Sequence, residues 1–113
     1  MSNKLESYKL FIDDVVGIKK SVKSAWVLKW TYPNVPDNKK RNDILATLSE
    51  EQRIEIAEMI QESNESGIHD LLALLNDNAE IKYKGVKLPK EPFDTELYYD
   101  FVARSEGDEW PNQ

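Results

Sequence analysis

His69 and Asp70 are the residues whose types and adjacency best match a chemical task, because an imidazole beside a carboxylate can bind a metal ion or take a proton from a substrate. His69 is the single histidine of the 113 residues, and there is no cysteine. A metal-dependent phosphohydrolase built on a His-Asp pair needs several more histidines from surrounding helices, and zinc-thiolate sites or thiol nucleophiles need the missing sulfur. His69 is therefore expected to be structural, near a helix start and making a local hydrogen bond. No Gly-x-Ser-x-Gly elbow marks an activated serine, and Gly17, Gly67, Gly85 and Gly107 are scattered singly rather than clustered as a phosphate cradle. Asp13-Asp14 and Asp94/Glu96 lack the loop spacing of a calcium site, so capping and solvation account for them better. No catalytic residue, cofactor-binding residue or metal ligand is assigned, and the chain is not expected to be an enzyme or to carry a cofactor.

A second constellation is purely acidic. Glu51, Glu55, Glu58, Glu62 and Glu65 follow four-three-four-three spacing and fall along one ridge of a helix. Like charges at this spacing cost roughly 0.2–0.5 kcal/mol per pair, so the ridge is mildly unfavourable unless something basic answers it. Two readings follow. Lys19, Lys20 and Lys23 pair with the ridge inside the fold, or the ridge docks a basic protein partner.

A third stretch, Lys23 to Tyr32, interleaves Lys23 and Lys29 with Trp26, Trp30 and Tyr32, the pattern of grooves that hold single-stranded nucleic acid. Trp26 and Trp30 are also one helical turn apart, as the core-facing end of a helix requires. Net charge is −6, which argues against duplex nucleic acid held through counterion release. The charge is uneven: +5 through Arg41 and −11 beyond it. Such a division neutralises itself across a fold or makes a dipolar surface that steers a charged partner.

The elements that position these residues are mostly helical. Apolar positions from about Leu5 to Trp30 recur every three or four residues and predict one long helix, with Gly17 marking a kink or a close helix approach, the latter preferred. Thr31 to Asn38, with Pro33 and Pro36, is a loop, and a helix start follows at Asp37 or Asn38. Ile44, Leu45 and Leu48 give a short second helix. Ser49-Glu50-Glu51-Gln52 is a capping box that opens a third, burying Ile54, Ala57, Ile60 and part of Ile56 and Met59 and stopping at Gly67. Ile68, Leu71, Leu72 and Leu75 define a fourth, expected to be the central core element. Ile81 to Leu88 changes period to two, with Gly85 at the turn of a hairpin. Asp94 or Thr95 then caps a final helix carrying Leu97, Tyr98, Phe101 and Val102, which Gly107 stops. Trp110, just beyond that stop, is expected to pack back on the body.

With 40% hydrophobic and 32% charged residues, the composition is that of one globular domain, and no apolar run is long enough for a signal peptide or a membrane span. The expected fold is a mainly α, single small domain over residues 1–113, with about five helices and a short β-hairpin before the last. A cytoplasmic location is the expectation. Tyr32-Pro33-Asn34-Val35, Gly67-Ile68-His69-Asp70 and Tyr99 to Asp108 give the chain a resemblance to a family of small bacterial helical proteins of unknown function. That resemblance implies a cytoplasmic bacterial or phage-related protein and no activity.

The leading functional expectation is a non-enzymatic interaction protein, an adaptor or inhibitor, using the acidic helical surface against a protein partner. The alternative is a small-ligand sensor with a pocket between the C-terminal helix, through Tyr98 and Phe101, and the Trp26/Trp30 end of the first. Homo-oligomerisation through an exposed apolar stripe is compatible with either.

Overall fold

The computed structural model of the chain describes residues 3–29 and 31–112. Among them are five α-helices, α1 (Asn3–Gly17), α2 (Val22–Leu28), α3 (Lys39–Leu45), α4 (Glu50–Asn78) and α5 (Leu97–Ser105). A 3-10 turn covers Pro36–Asn38, and two strands, β1 (Lys82–Tyr83) and β2 (Val86–Lys87), form an antiparallel hairpin before α5. The fold is thus mainly helical, as the periodicity predicts. The chain divides into two compact units, one of Met1–Lys19 with Ser66–Gln113 and one of Lys20–Glu65.

Two helix breaks differ from the sequence reading. The expected long first helix is two helices, because Ser21 in extended conformation accepts a hydrogen bond from the Ser24 amide and so caps a fresh start at Val22. Its expected end at Trp30 lies outside the described residues. Gly17 ends α1, and a Cβ there would meet nothing within 4 Å, so it does not serve a close approach. The expected third and fourth helices are one helix of 29 residues that runs straight through Gly67. A glycine in a helix interior costs only about 1 kcal/mol, which the packing on either side of it outweighs. The Ser49 capping box is present in both directions, with Gln52 N to Ser49 Oγ at 3.1 Å and Ser49 N to Gln52 Oε1 at 2.9 Å.

In the Lys20–Glu65 unit, Val27, Leu45 and Ala57 form the buried cluster, with Tyr32, Leu48, Ile56 and Ile60 packed around it. Arg53 is only 3% exposed, and its guanidinium donates to the Leu45 carbonyl at 2.6 Å and the Val27 carbonyl at 3.4 Å. Those carbonyls end α3 and lie one residue from the end of α2, where the helix dipole favours a cation. Asn42 fixes the entering loop by accepting from the Tyr32 amide and donating to its carbonyl.

In the other unit, Tyr8 and Ile12 of α1 are fully buried against Leu72, Leu88, Leu97 and Phe101. Of the expected stripe of α4, Leu72 is buried in this core and Ile68 and Leu75 pack against it, whereas Leu71 is 54% exposed and falls outside it. The hairpin pairs Tyr83 with Val86 and Lys82 with Lys87, and its turn places both Lys84 and Gly85 at positive φ, as a tight two-residue turn demands. Glu96, not Asp94 or Thr95, is the N-cap of α5. Its C-terminus closes with the Asp108 amide on the Ala103 carbonyl and the Gly107 amide on the Arg104 carbonyl, a Schellman motif with Gly107 at φ 91°.

Candidate functional site

Helical geometry decides what α4 offers to its surroundings. In the Lys20–Glu65 unit its inward face is marked by Arg53 and Ala57, both buried, with Ile60 and Asn64 half-buried at the same spacing. At about 3.6 residues per turn the glutamate ridge lies on the opposite side. Glu51, Glu55, Glu58 and Glu62 are exposed, and Glu65 is half-buried, accepting from Gln61 Nε2 at 3.0 Å. Ile54, expected in the core, is 41% exposed and Met59 is 62% exposed, so an apolar side chain flanks the ridge on each side.

The lysines expected to answer the ridge are engaged differently. Lys19 donates to the Ser105 carbonyl at 3.2 Å, within its own unit. Neither Lys20 nor Lys23 forms an ion pair with any of the five glutamates among the described residues. The ridge therefore keeps its like-charge spacing without an ion-pair answer from these two lysines.

His69 sits within α4, its ring 4.8 Å from the ring of Tyr98 and its Nδ1 3.5 Å from Asp70 Oδ1. At that distance the Asp70 contact is too long for a well-formed hydrogen bond, and the imidazole packs as an aromatic plate. Among the described residues no group of three or more His, Asp or Glu side chains gathers into a cation cage. Asp13 is bound in a fork by Arg104, Nε to Oδ1 at 2.9 Å and Nη2 to Oδ2 at 3.2 Å, and Asp14 accepts from the Tyr83 hydroxyl.

Tyr98, Phe101 and Trp26, named for a ligand pocket, have these surroundings. Phe101 is 2% exposed and belongs to the core around Tyr8. Tyr98 is half-buried beside His69. Trp26 leans on Tyr32 at 5.1 Å, and the Arg41 guanidinium lies 4.9 Å from the other ring, so the aromatic and basic residues of this stretch pack on one another. Trp30 lies outside the described residues.

Among the described residues Asp100 is one of three buried polar residues, with Arg53 and Asn76, that sequence reasoning missed. It is 5% exposed, and it accepts from the Tyr8 hydroxyl and, at 2.5 Å, from Thr95 Oγ1. Burial pushes its carboxyl above the ordinary range, with Glu96 and Glu91 adding to the rise, while the Thr95 and Tyr8 hydrogen bonds hold it down in part. Burial, and then the hydrogen bond to Asp100, pushes the Tyr8 hydroxyl far above its usual value. A perturbed carboxylate is a functional-site signal only where substrate can reach it. Asp100 is closed off from solvent, so its chemistry is spent joining α1 to α5. No sequence signal announces this cluster, because Tyr8 reads as one more member of the apolar stripe of α1 and Asp100 as an ordinary surface acid, and nothing in their spacing says that they meet.

No helix among the described residues is long and apolar enough to cross a membrane. No curated protein and no solved structure matches the chain. One family model does match, over residues 1–112, and the chain accordingly belongs to DUF6547, a family of unknown function.

Proposed function

We propose that this protein is a cytoplasmic, non-enzymatic interaction protein that docks a basic, amphipathic segment of a protein partner on the outward face of α4. One observation carries the reading: four of the five ridge glutamates are exposed, flanked by exposed Ile54 and Met59, and none is paired with Lys20 or Lys23. An acidic strip edged by apolar side chains complements a helix with lysine or arginine on one line and aliphatic residues beside it.

The triple variant Glu55→Gln, Glu58→Gln, Glu62→Gln separates this reading from a merely solvated face. Removing like charges relieves repulsion of roughly 0.2–0.5 kcal/mol per pair, so thermal stability is expected to hold or rise. Capture of partner proteins from the native host lysate is expected to fall, and the wild-type capture to weaken with added salt. A triple variant that melts lower than wild type and captures the same proteins removes the reading.

A further inference from the structure

Within the unit formed by the two chain ends, the end of α4, the hairpin and the start of α5 enclose a half-open groove of about 360 Å³, within the usual size range of small-molecule sites. Its apolar lining is Leu75, Ala79, Ile81, Leu88, Pro89 and Leu97. Its charged lining is Lys4, Lys87 and Lys90 against Glu80 and Glu91. The lining thus carries one net positive charge in a chain whose net charge is −6.

The two carboxylates are already answered. Glu80 pairs with Lys87 at 2.6 Å, and Glu91 accepts from Asn76 Nδ2 at 2.9 Å. Lys90 is exposed and forms no ion pair among the described residues.

The groove is also held in shape. Asn76 is 5% exposed, donates to Glu91 and Asp77, and accepts from the Leu97 amide at 3.0 Å, so one side chain ties α4 to the loop and to the first residue of α5. Glu91 keeps a φ of 44°, unusual for a residue with a side chain, immediately before Pro92. Strain of this kind persists only where the surroundings over-determine the backbone, and it gathers at ligand clamps.

We propose that this groove binds a small hydrophobic carboxylate, a free acyl or aryl chain whose body lies on Leu75, Ile81, Leu88 and Leu97 and whose single anionic head meets Lys90. Apolar burial supplies the affinity and the net positive lining selects the sign of the head.

The test titrates the isotopically labelled full chain with sodium octanoate and with octylammonium chloride, following backbone amide shifts. Octanoate is expected to saturate, with shifts confined to the segments around Leu75, Ile81, Leu88 and Leu97. Each methylene from hexanoate to octanoate should tighten binding about fourfold. Lys90→Glu should weaken octanoate about tenfold. Ala79→Phe, at an exposed position that fills the groove, should abolish saturation. Absence of saturable binding, equal or tighter binding of octylammonium, shifts spread over the exposed Leu71, Leu74 and Val102, or indifference to either substitution would each overturn the proposal.

Discussion

The Tyr8 hydroxyl donates to the carboxylate of Asp100, 92 positions later in the chain, and both side chains are buried. A polar pair inside a core is favourable only while each member satisfies the other, because a buried group left without its partner keeps its full desolvation cost. Tyr8→Phe removes the donor and leaves Asp100 with Thr95 alone. The expected loss is about 1–3 kcal/mol in urea denaturation. A loss below about 0.5 kcal/mol would show that the pair contributes little.

Asp100 also sets a direction for pH. Its folded-state value is raised by burial, so the fold prefers the protonated acid. The group's contribution is fully present below the ordinary carboxylate range and is lost as pH rises through the elevated folded-state value. Stability of the wild type relative to Asp100→Asn should therefore fall as pH increases from about 4. Acids remote from residue 100 titrate alike in both proteins and cancel in the difference, and the coupled Glu91 and Glu96 act in the same direction as burial. Denaturation curves taken across that range check this, and a difference that is flat or rises with pH contradicts it.

Trp110 is half-buried beyond the Schellman stop, stacked 5.3 Å from Phe93, edge-on to Tyr8 at 6.2 Å, and covered by the Arg104 guanidinium at 4.8 Å. Aromatic truncation at such a site is expected to cost about 2–3 kcal/mol, less than for a fully buried ring. Thermal melts of Trp110→Ala and of a chain ending at Asp108 should show similar losses. An unchanged melting temperature in both would mean that the contacts are not held in solution.

Gly67 lies inside α4 with nothing within 4 Å of a Cβ built there, and it is exposed. Gly67→Ala should raise stability by about 0.5–1 kcal/mol by restoring helix propensity at no steric cost. Destabilisation, read by the same chemical denaturation, would show that the helix does not run through residue 67 in solution.

What was legible in the sequence was local. The Ser49/Gln52 box, the Gly85 turn and the Gly107 stop depend on residues within a few positions of one another and are found where expected, whereas the expected apolar face of α5 is used only in part, Val102 being 39% exposed. The break at Ser21 was missed because apolar spacing continues across it at three and four residues, and only the cap shows that the helix restarts. Gly67 misled for the opposite reason: a stop signal by composition was overridden by packing. The candidate site divides the same way. The glutamate ridge needs only helical periodicity, so it was visible. The Tyr8–Asp100 pair, the Arg53 bridge between helix ends and the groove around Asn76 are assembled from distant segments, and no spacing rule encodes them.

The two units differ in how their chain is threaded, and that has a consequence for synthesis. Lys20–Glu65 is one uninterrupted stretch, whereas the other unit is completed only by residues near the far end. On the ribosome α1 is made before α5, and Tyr8 and Ile12 cannot be buried until Phe101 and Trp110 follow. At about 5–20 residues per second that interval lasts on the order of 5–20 s. Throughout that interval the apolar face of α1 has no α5 to pack on, and Tyr8 has no Asp100 to which it can donate.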